Sequence, residues 1–287
     1  SLVVIPNLPE GLVPAGKLAS FGEIEGDEIW YWLYLSNFSV AAAGEWRHGI
    51  LDISWSLAIE EQFYLVWPLV VRSLGRGALL RLCVALVVGS FLVRLGMVWA
   101  DVNPIATYVI TPARMDPLAA GAFVAIAART PGGIDALVPH ARRVTAGAGG
   151  LLLAFFFWFG GFPARDPLMQ TLGYSLIALF FAGLLVLVVA SVQGRPLFEV
   201  FTGRWLVWLG TYSYALYLFH LPLRAAIRDT VYPRDAFLTL LGSQIPGQIL
   251  FTLASTLLAG SVALLSWHLY EKRFLALKRY FTATPRR

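Results

Sequence analysis

The sequence is short of charge. Asp, Glu, Lys and Arg make up 14% of its 287 residues, against roughly a quarter in a soluble domain of ordinary composition. That deficit excludes a soluble core wrapped in a solvated surface. Cysteine is nearly absent: Cys83 is the one copy, inside an apolar run, so no disulfide can form within the chain and cysteine usage carries no redox information. Metal spacings of the HxxxH or CxxC kind do not occur, nor does a Gly-rich phosphate loop or a GxSxG elbow. No bound metal is therefore expected, and no bound cofactor. Internal repeats and low-complexity segments are also lacking. The first 17 residues hold three prolines and no charged region ahead of an apolar core, so they do not read as a cleavable signal. The chain reads as N-terminally incomplete.

What is present is apolar length. The chain is 58% hydrophobic with mean hydropathy +0.69. Apolar runs near 20 residues recur, the length a helix needs to cross about 30 Å of hydrocarbon. The runs are continuous rather than alternating, which favours helices over a barrel. The expected fold is therefore an all-α, polytopic transmembrane helix bundle of about seven spans, at roughly 54–71, 80–99, 114–128, 144–160, 170–191, 205–223 and 246–269. No loop of soluble-domain size separates them, so residues 1–287 read as one transmembrane domain. A shorter stretch, Ile29–Ala43, contains Asn37 and reads as interfacial or re-entrant. The ten Trp and eleven Tyr suit membrane–water interfaces.

Charge sets the orientation. Of 22 basic residues, 14 fall in or beside loops 72–79, 129–143 and 192–204 and the tail 270–287, whereas six fall on the other side. Eleven of 17 acids go to that other side, clustered at Glu23, Glu25, Asp27 and Glu28. Basic loops face the cytoplasm, so residues 1–53 are expected to be extracytoplasmic or interfacial and 270–287 a cytoplasmic tail. The pI near 9.5 is explained by those loops, and nucleic-acid binding is not expected.

Ionisable groups inside membrane spans are costly and usually face the bundle interior. Here they are Glu60, Glu61, Arg94, Arg114, Asp116, His220 and His268. Glu60 shares a helical stripe with Ser56 and Tyr64 at i, i+4 spacing; Glu61 points about 100° away. A carboxylate between a hydroxyl and a phenol can orient a base or accept a proton. Pro68 cannot donate to a carbonyl one turn back, so a kink beside the acids is expected. Asp116 before Pro117 reads as an N-cap. Arg114 has no such structural reason and offers a planar fork of donors for a phosphate, a carboxylate or Asp116 itself. Ala119, Ala120 and Gly121 permit close helix packing. His220 shares a face with Tyr217. A lone histidine on an apolar helix is either a base or a satisfied interface residue.

Four segments carry a resemblance. Trp55-Ser56-Leu57-Ala58-Ile59-Glu60-Glu61-Gln62-Phe63-Tyr64 with Trp67-Pro68 resembles the hallmark W-S-L-x-x-E-x-x-F-Y…W-P of the acyltransferase-3 family, and Tyr34-Leu35-Ser36-Asn37-Phe38 resembles the segment before it. Arg114-Met115-Asp116-Pro117-Leu118-Ala119-Ala120-Gly121 is similar to the family's R-x-D-x-L-x-x-G, and residues 210–220, ending in Tyr217-Leu218-Phe219-His220, to its late G-x-x-S-Y-x-L-Y-L-x-H. The resemblance implies a membrane O-acyltransferase of about ten helices with both ends cytoplasmic. It implies transfer of an acyl group, commonly acetyl, from acyl-CoA as co-substrate to a hydroxyl of a carbohydrate or glycolipid of the bacterial cell envelope, at the plasma membrane and in contact with membrane lipid. In the family the first helix carries an arginine and a general-base histidine; neither is in this chain, so the chain alone is expected to be inactive. The resemblance marks Glu60, Arg114 and His220 as candidate catalytic residues. Asn37, Trp55, Ser56, Tyr64 and Asp116 become candidate substrate-binding residues. A buried Glu60 is expected to pair with an arginine or with the histidine. A glycan exporter or a non-catalytic membrane partner would also be a polytopic bundle with buried charges; the exporter would show inverted repeats with paired broken helices, which are not seen.

Overall fold

The computed structural model describes residues 26–232, 236–240 and 242–280. Glu23, Glu25 and the tail residues 281–287, used above to set orientation, lie outside them. The described residues are helical, and their one β feature is an isolated bridge between Leu240 and Ser243. The chain divides into two compact units, residues 1–199 and 200–287.

In the first unit the re-entrant stretch resolves into two short helices, α1 (Glu28–Trp32) and α2 (Ser36–Ala43). Tyr34 between them has φ 54°, a left-handed conformation that a bulky residue adopts only when its surroundings hold it there. Gln62 does so, donating to the Tyr34 carbonyl at 2.7 Å. A 3₁₀ turn (Gly49–Ile53) leads into α3 (Ser54–Ser73), which contains Pro68. Then come α4 (Arg76–Trp99), α5 (Pro104–Val109), a 3₁₀ turn (Thr111–Arg114), α6 (Met115–Ala127), α7 (Val138–Phe159), a π turn (Met169–Gly173) and α8 (Tyr174–Val189). Helices α4 and α6 pack together, as do α7 and α8, with α6 also against α8; α2 lies on α3 and α5.

Small residues set the close approaches. Gly44 ends α2 at φ 68°, and a Cβ there would meet the Asn103 amide at 2.6 Å. That same side chain donates to the Gly44 carbonyl at 3.1 Å and caps α5 by accepting from the Ile105 N–H at 2.8 Å, so one asparagine ties two helix ends together. Gly183 of α8 lies against Thr145 and the Ala141 carbonyl of α7, the small-residue contact by which membrane helices approach. Ala119 and Ala120 of α6 are buried as expected, but Gly121 faces open space.

A short helix α9 (Pro196–Phe201) carries the boundary. The second unit packs α10 (Arg204–Ala226) against α11 (Ile245–Ser266); π turns follow both, at Ile227–Val231 and Trp267–Glu271, and α12 (Lys272–Ala276) ends the described chain with one 3₁₀ turn.

Each of the seven expected spans falls on a helix. Three helical stretches among the described residues are long and apolar enough to cross a membrane: Arg76–Trp99, Met169–Val189 and Ile245–Ala276. Helix α6, at 13 residues, covers only about 20 Å. Trp99, Trp158 and Trp205 stand at helix ends and are more than four-fifths exposed, an arrangement costly in water and favourable at a bilayer interface.

Candidate active site

The segment 109–116 is pinned from three helices, and a fourth holds one of the pinning side chains. From α2, Asn37 donates to the Val109 carbonyl at 3.2 Å and to Thr111 Oγ1 at 2.9 Å. From α3, Gln62 Nε2 donates to Asn37 Oδ1 at 3.0 Å, and Gln62 Oε1 accepts from Thr111 Oγ1 at 2.5 Å. Asn37, Gln62 and Thr111 thus close a ring of hydrogen bonds, with Asn37 fully buried. From α4, Ser90 donates to the Pro112 carbonyl at 2.8 Å, and Arg94 donates to the Ala113 carbonyl. From α8, Ser175 accepts from Arg94 at 2.7 Å.

Arg94 also forms a bidentate pair with Asp116, at 3.1 and 2.8 Å, and both side chains are buried. Two charges this far from water persist only with such mutual and additional hydrogen bonding. Asp116 is therefore not an N-cap. That position belongs to Arg114, and Asp116 is the second residue of α6 with its carboxylate turned inward. Arg114 does not clamp Asp116 either, because Arg94 occupies both carboxylate oxygens.

Arg114 instead lies among aromatic rings. Its guanidinium carbon is 4.9 Å from the Tyr174 ring centre, 5.1 Å from Tyr108 and 5.9 Å from Trp55. The rings also contact one another: Trp55 and Tyr108 at 4.8 Å, Tyr108 and Tyr174 at 5.6 Å. Their faces stabilise the cation. Among the described residues no carboxylate or carbonyl receives its donors. A half-buried arginine held in place with a free fork is chemically suited to receive an oxyanion or another anion.

The remaining candidates on α3 are spread out. Trp55 belongs to the ring cluster. Glu60 is half-buried and Glu61 exposed, and among the described residues Glu60 has no ion pair or hydrogen bond. The expected arginine partner is not there. Ser56 Oγ lies 3.4 Å from the Ile53 carbonyl, and Tyr64 is exposed.

A second polar cluster precedes α3. Buried His48 shares a hydrogen bond with the Tyr31 hydroxyl at Nδ1, 2.7 Å, with Asp27 3.7 Å from Nε2. The His48 backbone N–H donates to Asp52 Oδ2 at 3.0 Å, leaving Oδ1 without a partner. Burial pushes the Asp52 carboxyl above its ordinary range, against the pull of the His48 and Gly49 N–H groups. Burial also raises the Tyr31 phenol, helped by Asp52 and Asp27.

In the second unit, His220 Nδ1 is 2.7 Å from the Tyr217 carbonyl. That contact puts the proton on Nδ1 and leaves Nε2 as an acceptor. His220 lines a cavity of about 510 Å³ with Ser255, whose hydroxyl is buried and unpartnered.

Family comparison bears directly on these residues. The model of the Acyl_transf_3 family, described as an acyltransferase domain, matches residues 17–270, which span Asn37, Trp55, Glu60, Arg114 and His220. The chain belongs to the acyltransferase-3 family. Together with the three membrane-length apolar helices among the described residues, family membership makes it an integral membrane protein. It is also similar to the peptidoglycan O-acetyltransferase OatA of Listeria monocytogenes, at 31% identity over 183 residues. The match covers 59% of this chain and 28% of that protein, so the chain spans well under half the length of the curated relative it matches. No solved structure matches.

Sequence reasoning selected Trp55, Arg114, Asp116 and Arg94, and the structure brings these into one neighbourhood. Tyr108, Tyr174, Gln62, Thr111, Ser90 and Ser175 were missed. A lone arginine in an apolar helix was the signal that a buried acid would be found near it. Tyr108 and Tyr174 gave no signal, because aromatics are common throughout this chain.

Proposed function

We propose that the protein takes part in transfer of an acyl group, acetyl in the first instance, from an acyl-CoA donor to a hydroxyl of a bacterial cell-envelope carbohydrate or glycolipid. Family membership supports acyl transfer, and the name of the Listeria relative points to an envelope glycan as acceptor. The observation that carries the reading is Arg114, held on three aromatic faces with its donors unspent. In acyl transfer the acceptor oxygen attacks the thioester carbonyl, its proton passes to a base, and the carbonyl oxygen becomes an oxyanion. Collapse of that intermediate expels the CoA thiolate. A fixed guanidinium answers the oxyanion without reorganisation, the largest single catalytic contribution in many acyl transfers. Trp55, Tyr108 and Tyr174 position it. Glu60 is proposed to orient the base or hold its proton, and His220, with Nε2 open, is a candidate proton acceptor in the second unit. Asn37 and Asp116 are proposed to act as positioning residues through segment 109–116, and Ser56 and Tyr64, one turn from Glu60, to bind the acceptor. Seven spans, with residues 1–53 outside the plasma membrane and the chain's end in the cytoplasm, complete the proposal.

The test is Arg114→Lys in the full-length protein, assayed for acetyl transfer in membranes. Lysine keeps the charge but not the planar fork or the stacking. Transfer should fall at least tenfold at unchanged abundance. Equal transfer by the lysine variant would remove the fork from the mechanism.

A further inference from the structure

The second unit holds a cationic recess that the acyl-transfer reading leaves without a role. Beside the cavity that His220 lines lies another, of about 400 Å³, lined by Arg224, Arg228, Phe237, Gln244, Gln248, Phe251 and Thr252. The two share Arg224, Phe251 and Thr252, so they are halves of one continuous space. The halves differ in chemistry. One gathers two guanidiniums and two primary amides. The other is walled by Leu216, Tyr217, Phe251 and Ala259 of α10 and α11.

Arg224 joins them. Its guanidinium lies 5.8 Å over the Phe251 ring, which covers one face and leaves the in-plane donors for a ligand. Among the described residues Arg224 has no hydrogen bond or ion pair. Gln244 and Gln248 stand one turn apart at the start of α11, adding amide donors on the same side. The π turn Ile227–Val231 follows α10 here, a local widening that recurs at binding sites. The bland alternative is an arginine favoured by a helix C-terminus and otherwise solvated. It accounts for Arg224 but not for two arginines and two glutamines converging beside an apolar wall.

We infer that this paired cavity binds a phosphate-bearing membrane lipid, its phosphate between Arg224, Arg228, Gln244 and Gln248 and its hydrocarbon along Leu216, Phe251 and Ala259. Charge selects the head: two cations and amide donors fit a phosphodiester whose negative charge is not offset by a headgroup amine. Continuity with an apolar wall on α11, one of the helices suited to cross a membrane, selects a tethered ligand over a free ion. The tail half is the cavity that His220 lines, but the binding is measured without activity, so its failure and that of the acyl-transfer reading are distinguishable.

The experiment is native mass spectrometry of the purified full-length protein titrated with phosphatidylglycerol, with phosphatidylcholine and inorganic phosphate as separate arms. Phosphatidylglycerol should bind at least tenfold more tightly than phosphatidylcholine, and inorganic phosphate should not displace it. Arg224→Gln should remove the preference, whereas Arg204→Gln, an exposed arginine at the opposite end of α10, should keep it. Should Arg224→Gln fail to fold, Gln248→Leu tests the head and Thr256→Phe, which narrows the apolar half, tests the tail; each should lower phosphatidylglycerol affinity several-fold. Equal binding of the two lipids would overturn the inference. So would affinity unmoved by the cavity variants, or full displacement by inorganic phosphate, which would mark a free-anion site.

Discussion

Arg114 and Glu60 present opposite problems in burial. The cation is stabilised by ring faces in place of a counter-ion. The anion has no such help. A half-buried carboxylate with neither ion pair nor hydrogen bond among the described residues carries an unrelieved desolvation cost, which makes it a candidate for chemistry rather than packing. Glu60→Gln keeps shape and hydrogen bonding while removing the charge. In the full-length protein, acetyl transfer should fall at least a hundredfold, close to 3 kcal/mol in the barrier, with unchanged abundance and a displaced pH–rate profile. The same change at exposed Glu61 should cost little. Near-normal turnover by the Glu60 variant, or loss matched by vanished protein, would remove Glu60 from the mechanism. Both residues were legible as charges in apolar helices. What each touches was not. The rings under Arg114 come from three helices, and no spacing in the sequence reports which aromatics converge.

At the scale of elements, the informative pair is α4 with α6. The sequence placed a helix start near Asp116 correctly and misassigned the reason. An aspartate before a proline looks like a cap because the pattern is local. The opposing arginine lies 22 residues away and cannot be matched to it by pattern. Breaking the pair from one side leaves a buried charge alone, at about 3–5 kcal/mol. Asp116→Leu and Arg94→Met should each lower the thermal stability of the detergent-solubilised protein sharply. The double variant should be markedly more stable than either single variant, giving a coupling of more than 1 kcal/mol in a double-mutant cycle. Strictly additive losses would show that the pair is not the unit that holds these helices. Segment 109–116 would lose order with the pair, so Arg114 function should fall alongside stability. Helix existence was well signposted by apolar runs throughout. Helix ends were less so, because Tyr34, Gly44 and Asn103 act through contacts across the fold.

The chain divides into two units rich in exposed apolar surface, and it emerges in order during synthesis. Arg94 therefore enters the membrane before its acid exists. A single arginine costs about 2.5–3.5 kcal/mol at the middle of an inserting helix and less toward its end. Helix α4 is apolar enough to bear that cost in part, and α6, at 13 residues, is too short to insert well by itself. Each supplies what the other lacks, so the two should be released into lipid as a hairpin. A chain truncated after residue 112 and released from the ribosome should show α4 incompletely integrated by glycosylation mapping, and extension through residue 130 or the change Arg94→Leu should restore it. Complete integration of the short chain would contradict this. The ion pair that orders the finished site would then also be a timing device, holding the first helix at the translocation channel until the second one arrives.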